Sequence, residues 1–430
     1  MRAVLILIFL TIPLVAILVF MLFFQGNRSI HGHINPDGKP DEAARTVAEV
    51  KQILEEHCIK DLDPEELTIN SVKGMLKSIP YSNFEQDSKK FKEDVSGKFT
   101  GIGIICKKEG EKLIIGKLLY GSKAYSDYEF QPGDEILQID DFQTEGLTVQ
   151  EVQERLKGEV NTLCRLHVRD AVTRKVYEYK LYREVLALPS VSGERIIDGQ
   201  SGIGYVHISK FQMGTGEEFK LVLQNLDGKN LKALIIDLRF NSGGLLDIAT
   251  KIANIFIADG VIVETQGKDQ DSRHQISAQR ISCLYPELDL VVLINGSTTS
   301  AAEMLAGALQ DHERAKLVGT RSFGKGVVQT SEKVQMYGKT TILTYPSAFF
   351  YLPSGRCIDK EYKKSQGLPG LGPDETVKIS KKDNTALKKY IENTRRTWDL
   401  MHAGDGRTNK HVYDPQLEAA IRLLKKRLRS

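Results

Sequence analysis

Ser300 and Lys325 are the residues of this 430-residue chain best placed, by type and spacing, to do covalent chemistry. They lie in "TTSAAEMLAGALQDHERAKLVGTRSFGKGVVQT", Thr298 to Thr330, which holds a serine among small residues and, 25 positions on, a lysine between two glycines. A serine hydroxyl that attacks a carbonyl needs a base. A lysine can serve once its amine is neutral, a form that burial favours by depressing its pKa. Gly324 and Gly326 let the backbone beside Lys325 approach other groups closely. Gln329 follows four positions on in an extended run, shares the lysine's face, and can hold the amine by a hydrogen bond. A lone lysine is ordinarily a surface residue, so this reading depends on its partners.

Other chemistries fit the same stretch less well. "GTRSFGKG", Gly319 to Gly326, begins as a phosphate loop, but Gly326 stands where that loop needs Ser or Thr for magnesium. The following "VVQT" reads as a strand, whereas a phosphate site needs a helix N-terminus. No G-x-S-x-G elbow with an obvious His and Asp partner appears. His312 lies twelve residues from Ser300, just over three turns along one helix, too far to reach it.

The flanking runs say how these residues are held. "LDLVVLIN" is a buried strand, "GSTT" turns the chain, and a helix beginning near Ser300 carries Ala301, Met304, Leu305, Ala308 and Leu309 on one face. Ser300 therefore sits at a helix N-terminus, where free N–H groups can stabilise an oxyanion, although an ordinary cap looks the same. "LIIDLRFNSGG" offers a second donor at Gly243 or Gly244, since a glycine N–H can face a ligand without a Cβ in the way. A plain strand-to-helix turn is the alternative there. Asp237 and Arg239 read as a structural pair. With "IGYVHISKF" and helices near Glu217–Leu226 and Leu246–Phe256, the region is an α/β domain.

From Lys98 the texture changes to short β-like runs with Gly turns, one helix "TVQEVQERLKG", and "PGDEILQIDD". This order resembles a PDZ domain of the circularly permuted bacterial type over residues 97–185. "GIGI", Gly101, Ile102, Gly103 and Ile104, stands in the place of the loop whose amides receive a substrate's terminal carboxylate.

Composition narrows the remaining possibilities. With 41% hydrophobic and 27% charged residues the chain is globular, and 59 basic against 56 acidic residues leave a net charge of +3 and no broad nucleic-acid face. The basic end "RLLKKRLRS" has its Leu residues at helical spacing and reads as a solvated helix end. Ala3 to Phe24 carry no charge over 22 residues, enough to cross a bilayer, so residues 3–24 are expected to be a retained transmembrane anchor with the rest extracytoplasmic. A linker, 25–40, leads to a helical subdomain, 41–96. Cys58, Cys106, Cys164, Cys283 and Cys357 form no C-x-x-C pair, so neither zinc nor dithiol chemistry is expected, and no metal or cofactor.

Together the series "PYSNF", "SGKFTGIGI", "PGDEILQIDD", "IGYVHISKF", "DLRFNSGG", the Ser300–Lys325 stretch and "YLPSGRCI" resembles the carboxyl-terminal processing peptidases, tail-specific serine proteases of family S41. The resemblance implies that the serine ahead of A-x-E, Ser300 before Ala301, Ala302 and Glu303, is the nucleophile, Lys325 its base and Gln329 the support. It also implies a crotonase- or ClpP-like α/β protease domain, 186–380, with the mainly-β PDZ domain inserted ahead of it. Ala301 and Gly243 or Gly244 would donate to the oxyanion. Substrates would be proteins or peptides with exposed nonpolar C-termini, and a C-terminal helical extension, 381–430, would make a homodimer contact. Two features depart from the pattern: "STTSAA" replaces the usual serine-alanine alternation, and "GSKAYSDYEFQPGD" lacks the common "AGL". A catalytically silent PDZ scaffold or chaperone is the alternative, as is a crotonase-like acyl-thioester enzyme that shares the oxyanion glycines.

Overall fold

The computed structural model describes residues 42–58, 62–86, 88–119, 121–362, 367–396 and 413–429. The expected anchor at 3–24 and linker at 25–40 lie outside them, and among the described residues no helix is long and apolar enough to cross a membrane. The chain divides into two compact units, Met1–Ile79 and Pro80–Ser430.

In the first unit, the helices Glu42–His57 and Pro64–Leu76 are the described elements. Asp63 caps the second by accepting from Glu65 N–H at 2.8 Å, with Pro64 at its first position, where a missing N–H costs nothing. The rest of the stretch expected in a helical subdomain belongs to the second unit. There Asn83–Glu85 is a strand paired antiparallel with Lys339–Tyr351, in the register Phe84 to Leu343.

The second unit is organised around a six-stranded sheet in the order Val191–Asp198, Ile203–Ile208, Ala233–Asp237, Asp289–Ile294, Ala315–Gly319 and Glu375–Thr376. Only the first pairing is antiparallel. Ala233–Asp237 and Leu290–Ile294 are buried throughout, as the unbroken apolar runs require of strands covered on both faces. One face packs on helices Thr215–Asp227, Leu246–Asn254 and Ala301–Asp311, whose Phe219, Ile252 and Leu305 join the main core. The other face is covered by the last helix, Pro415–Arg427, through Ala419, Ala420 and Leu424. The basic chain end is thus a helix that docks its apolar residues on the chain's own sheet and leaves Arg422, Lys426 and Arg429 exposed, as its spacing predicts. Lys425 pairs with Asp198 and Arg427 with Asp289.

A second sheet is built on the long strand Lys339–Tyr351. Val327–Met336 pairs along one of its edges, and Asn83–Glu85 and Val261–Gly267 pair along the other. Residues expected to form a PDZ domain make a separate sheet in the order Ile104–Glu109, Lys112–Leu118, Glu135–Ile139, Leu163–Arg169 and Val176–Tyr182, with a core of its own that includes Ile115, Ile136, Val152 and Leu166. The pairing of Lys98–Gly101 with Glu184–Ala187 brings the two ends of this region together.

Candidate active site

The nucleophile candidate is delivered by a strand, a laced turn and a helix. After Ile294, Asn295 Oδ1 accepts from Ser297 N–H and Phe240 N–H, and Thr298 Oγ1 donates to Leu238 O at 2.9 Å. Thr299 N–H donates to Asn241 O. The turn carrying Ser300 is therefore tied to the turn carrying the double glycine. Ser300 itself has φ +58° and ψ −122°, a conformation that non-glycine residues rarely adopt and that surrounding structure must hold. A serine on such a sharp strand-to-helix turn is pushed clear of the sheet. Helix Ala301–Asp311 then buries every residue from Ala301 to Leu309.

Lys325 reaches the same place from the other direction. Phe323 N–H donates to Thr298 O, Gly324 N–H to Glu303 Oε1 at 2.7 Å, and Lys325 N–H to Glu303 Oε2 at 2.9 Å. Ser300 N–H donates to that same Oε2, also at 2.9 Å, and Ser322 Oγ donates to Oε1. One buried carboxylate thus holds the main chains of both candidate residues. Burial raises the Glu303 pKa, and the hydroxyl and amide donors pull it back. In the sequence Glu303 marks the family motif, and its second role is legible only as the capping box Ser300-x-x-Glu303. Gly326 explains its own identity: a Cβ there would meet Asp359 N at 2.7 Å, and its N–H donates to Asp359 Oδ2.

The half-buried Lys325 ammonium donates to Gln329 Oε1 as expected, although Lys325 precedes strand Val327–Met336 and the register shifts between Val328 and Gln329, so a regular two-residue strand period does not set the contact. Gln329 Nε2 donates to Tyr81 O at 2.6 Å. No hydrogen bond joins Lys325 Nζ to Ser300 Oγ. Burial holds the lysine below the ordinary range for its type, against the opposing pull of Asp359 and Glu303.

The two glycines differ in what they offer. Gly243 N–H donates to Asn241 Oδ1 at 2.8 Å and is engaged, whereas Gly244 and Ala301 N–H make no hydrogen bond among the described residues. Gly243 packs directly on the serine: a Cβ there would lie 2.8 Å from both Ser300 Cβ and Thr299 O. At Gly244 a Cβ would lie 2.2 Å from Phe211 O. Both have positive φ. Asp237 and Arg239 are the expected structural pair, with a third member that spacing could not show: the fully buried guanidinium also forks onto Asp414, 175 residues away.

In the inserted sheet, Ile102 and Ile104 are buried in the domain core, so this stretch has main chain rather than side chains to present. Ile104–Glu109 is an edge strand, and Gln153 Nε2 from helix Val149–Leu156 bonds Ile104 O at 3.2 Å. His312, too distant for Ser300, bonds Val261 O instead. No disulfide joins any of the five cysteines, all of which lie among the described residues, and burial pushes the thiols of Cys106 and Cys357 up to about 11. Among the described residues no group of acidic, His and Cys side chains could hold a metal.

Similarity to known proteins gives the family of the chain. The sequence pattern of peptidase family S41 matches residues 202–377. A probable CtpA-like serine protease of Staphylococcus aureus is 30% identical over 376 residues, which span 86% of this chain and 71% of that protein. The chain belongs to peptidase family S41. A carboxy-terminal-processing protease of Bartonella bacilliformis is 32% identical over 322 residues, covering 73% of this chain and 70% of that one. Among solved structures, the photosystem II D1 C-terminal processing protease aligns over 83% of this chain and 97% of its own, with a TM-score of 0.43 and 21% identity. The protein is thus a serine-type peptidase of the carboxy-terminal-processing family.

Proposed function

We propose that this S41 peptidase cleaves protein substrates near their C-termini with Ser300 as nucleophile, Lys325 as general base and Gln329 as its support. The observation that carries this is the shared carboxylate oxygen: Glu303 Oε2 accepts from both Ser300 N–H and Lys325 N–H, so two segments 25 residues apart are fixed at one point. In the resting arrangement the amine is held by Gln329. Productive substrate binding must bring Nζ to the serine, as hydrogen bonds in empty sites tighten on complex formation. The neutral amine then takes the Ser300 proton as Oγ attacks the scissile carbonyl, and the ammonium returns that proton to the leaving amine while the acyl-enzyme forms. Water, activated by the same lysine, releases the acyl group.

The developing oxyanion is assigned to Ala301 N–H at the positive end of its helix and to Gly244 N–H, both uncommitted, while Gly243 supplies the close packing that its lack of a Cβ permits. The inserted domain is assigned as a PDZ domain that adds the substrate tail to the edge strand Ile104–Glu109, with the Gly101–Ile104 main chain receiving the carboxylate. A transmembrane anchor at 3–24 would hold the catalytic part on the extracytoplasmic side.

The test compares the detergent-solubilised full chain with its Ser300→Ala variant on an unfolded protein bearing a nonpolar C-terminal tail. Cleavage by the parent alone is expected, with an acylating probe labelling Ser300. Equal cleavage by both would refute the assignment.

A further inference from the structure

Tyr81 stands over the lysine without belonging to the nucleophile turn or the lysine loop. Its φ of +64° is rare for a bulky side chain, and such strain persists only where neighbouring structure over-determines it. Its carbonyl oxygen accepts from Gln329 Nε2. A carbonyl can only accept, so this contact fixes which end of the Gln329 amide faces which way and leaves Oε1 toward Lys325 Nζ. The Tyr81 ring centroid lies 5.2 Å from that Nζ. Lys360 Nζ lies 4.3 Å from the Phe323 ring centroid and 5.7 Å from that of Tyr81, so a second ammonium shares these rings. Among the described residues the buried Tyr81 hydroxyl has no hydrogen-bond partner. Burial, followed by the carboxylates of Asp359, Glu361 and Glu303, holds this phenol well above its ordinary pKa, so it stays protonated.

We propose that Tyr81 is a positioning residue for the Lys325 base: its main-chain carbonyl orients the Gln329 amide, and its ring keeps water from the lysine amine. The inference rests on the reading of Lys325 as the base. Asp359 and Glu303 both favour the ammonium, as does the ring face by its attraction for a cation. Lys325 nevertheless sits below the ordinary lysine value, so burial outweighs the pull of the two carboxylates. Once one amine hydrogen is given to Gln329, the nitrogen's lone pair is directed away from the amide.

The experiment uses the full chain with Tyr81→Phe, Tyr81→Asn and Tyr81→Gly. Glycine and asparagine accept the positive φ and retain the carbonyl while removing the ring. Trace acetylation at a series of pH values, with the Lys325 peptide quantified by mass spectrometry, gives the titration of that amine without reference to proteolysis. Tyr81→Phe is expected to match the parent within about twofold in kcat/KM, because the hydroxyl has no partner to lose. The two ring-less variants are expected to raise the Lys325 pKa by about one unit, which means about tenfold less free amine at neutral pH. The acid limb of kcat/KM should move by the same amount, with activity recovered at high pH. An unchanged Lys325 titration in correctly folded Tyr81→Asn and Tyr81→Gly would overturn the proposal even if activity fell. Loss of activity in Tyr81→Phe would also overturn it, by making the hydroxyl the working group. Should Ser300→Ala cleave as well as the parent, the proteolytic reading fails, while the Lys325 titration still decides the role of Tyr81.

Discussion

Replacing Glu303 separates a structural knot from a catalytic one, because its two nearest variants should behave differently. The carboxylate is fully buried and accepts from Ser300 N–H, Gly324 N–H, Lys325 N–H and the Ser322 hydroxyl. In Glu303→Ala the hydroxyl can rotate, but three main-chain donors lose their acceptor, Gly324 N–H in a buried position and Ser300 and Lys325 N–H in partly buried ones. At about 1–3 kcal/mol for each stranded donor, and less the relieved cost of burying a charge, the loss is roughly 3–6 kcal/mol. Against a total stability of about 5–15 kcal/mol, that variant should be marginally folded or insoluble. Glu303→Gln can keep its oxygen on the Ser300 and Lys325 side and turn its amide toward Ser322, which can accept. It strands only Gly324 N–H, a loss of about 1–3 kcal/mol, and should fold. It also removes a negative charge that favours the Lys325 ammonium, so the Lys325 pKa falls and the acid limb of kcat/KM moves to lower pH. Scanning calorimetry and a pH profile on one tail-bearing substrate measure both effects. A Glu303→Ala protein with parental melting temperature, or a Glu303→Gln profile displaced to higher pH, would refute the reasoning.

Three further outcomes follow from the same geometry. Lys325→Arg keeps the positive charge but cannot yield a neutral base near physiological pH, so it should fold normally and lose about 10²-fold or more in kcat at every accessible pH, measured by steady-state cleavage. Gly243→Ala must place a methyl 2.8 Å from Ser300 Cβ in a left-handed backbone, so labelling of Ser300 by an acylating probe should be abolished while the far-UV circular dichroism is retained. Asp414→Ala leaves the buried Arg239 guanidinium short of its fork and should cost about 3–5 kcal/mol in denaturant unfolding. In the parent, burial alone would raise the Asp237 pKa, but Arg239 holds it below the ordinary value. That part of the stability is therefore present above the unfolded-state pKa and is lost as pH falls through the folded one.

What could be read from the sequence follows the distance over which each constraint acts. Strand Asp289–Ile294 and the helix after Ser300 are local facts, set by runs and turns, and they appear where those patterns put them, whereas Gln329 meets Lys325 across a register shift rather than along a regular two-residue period. The engagement of Gly243 N–H by Asn241 is also local, but it turns on which of two adjacent glycines faces the serine, and residue type alone does not distinguish them. Tyr81 touches Gln329 across 248 positions and Arg239 meets Asp414 across 175, and neither pairing leaves a periodic trace. The short apolar pattern before Tyr81 and the charged run after it read as a helical subdomain, whereas Asn83–Glu85 just beyond Tyr81 pairs with Lys339–Tyr351 in the sheet whose strand Val327–Met336 follows Lys325. A sequence can therefore declare a nucleophile and its base through local spacing while leaving unseen the group that orients them. Orientation is imposed by segments that are distant in the chain, through main-chain atoms that every residue possesses.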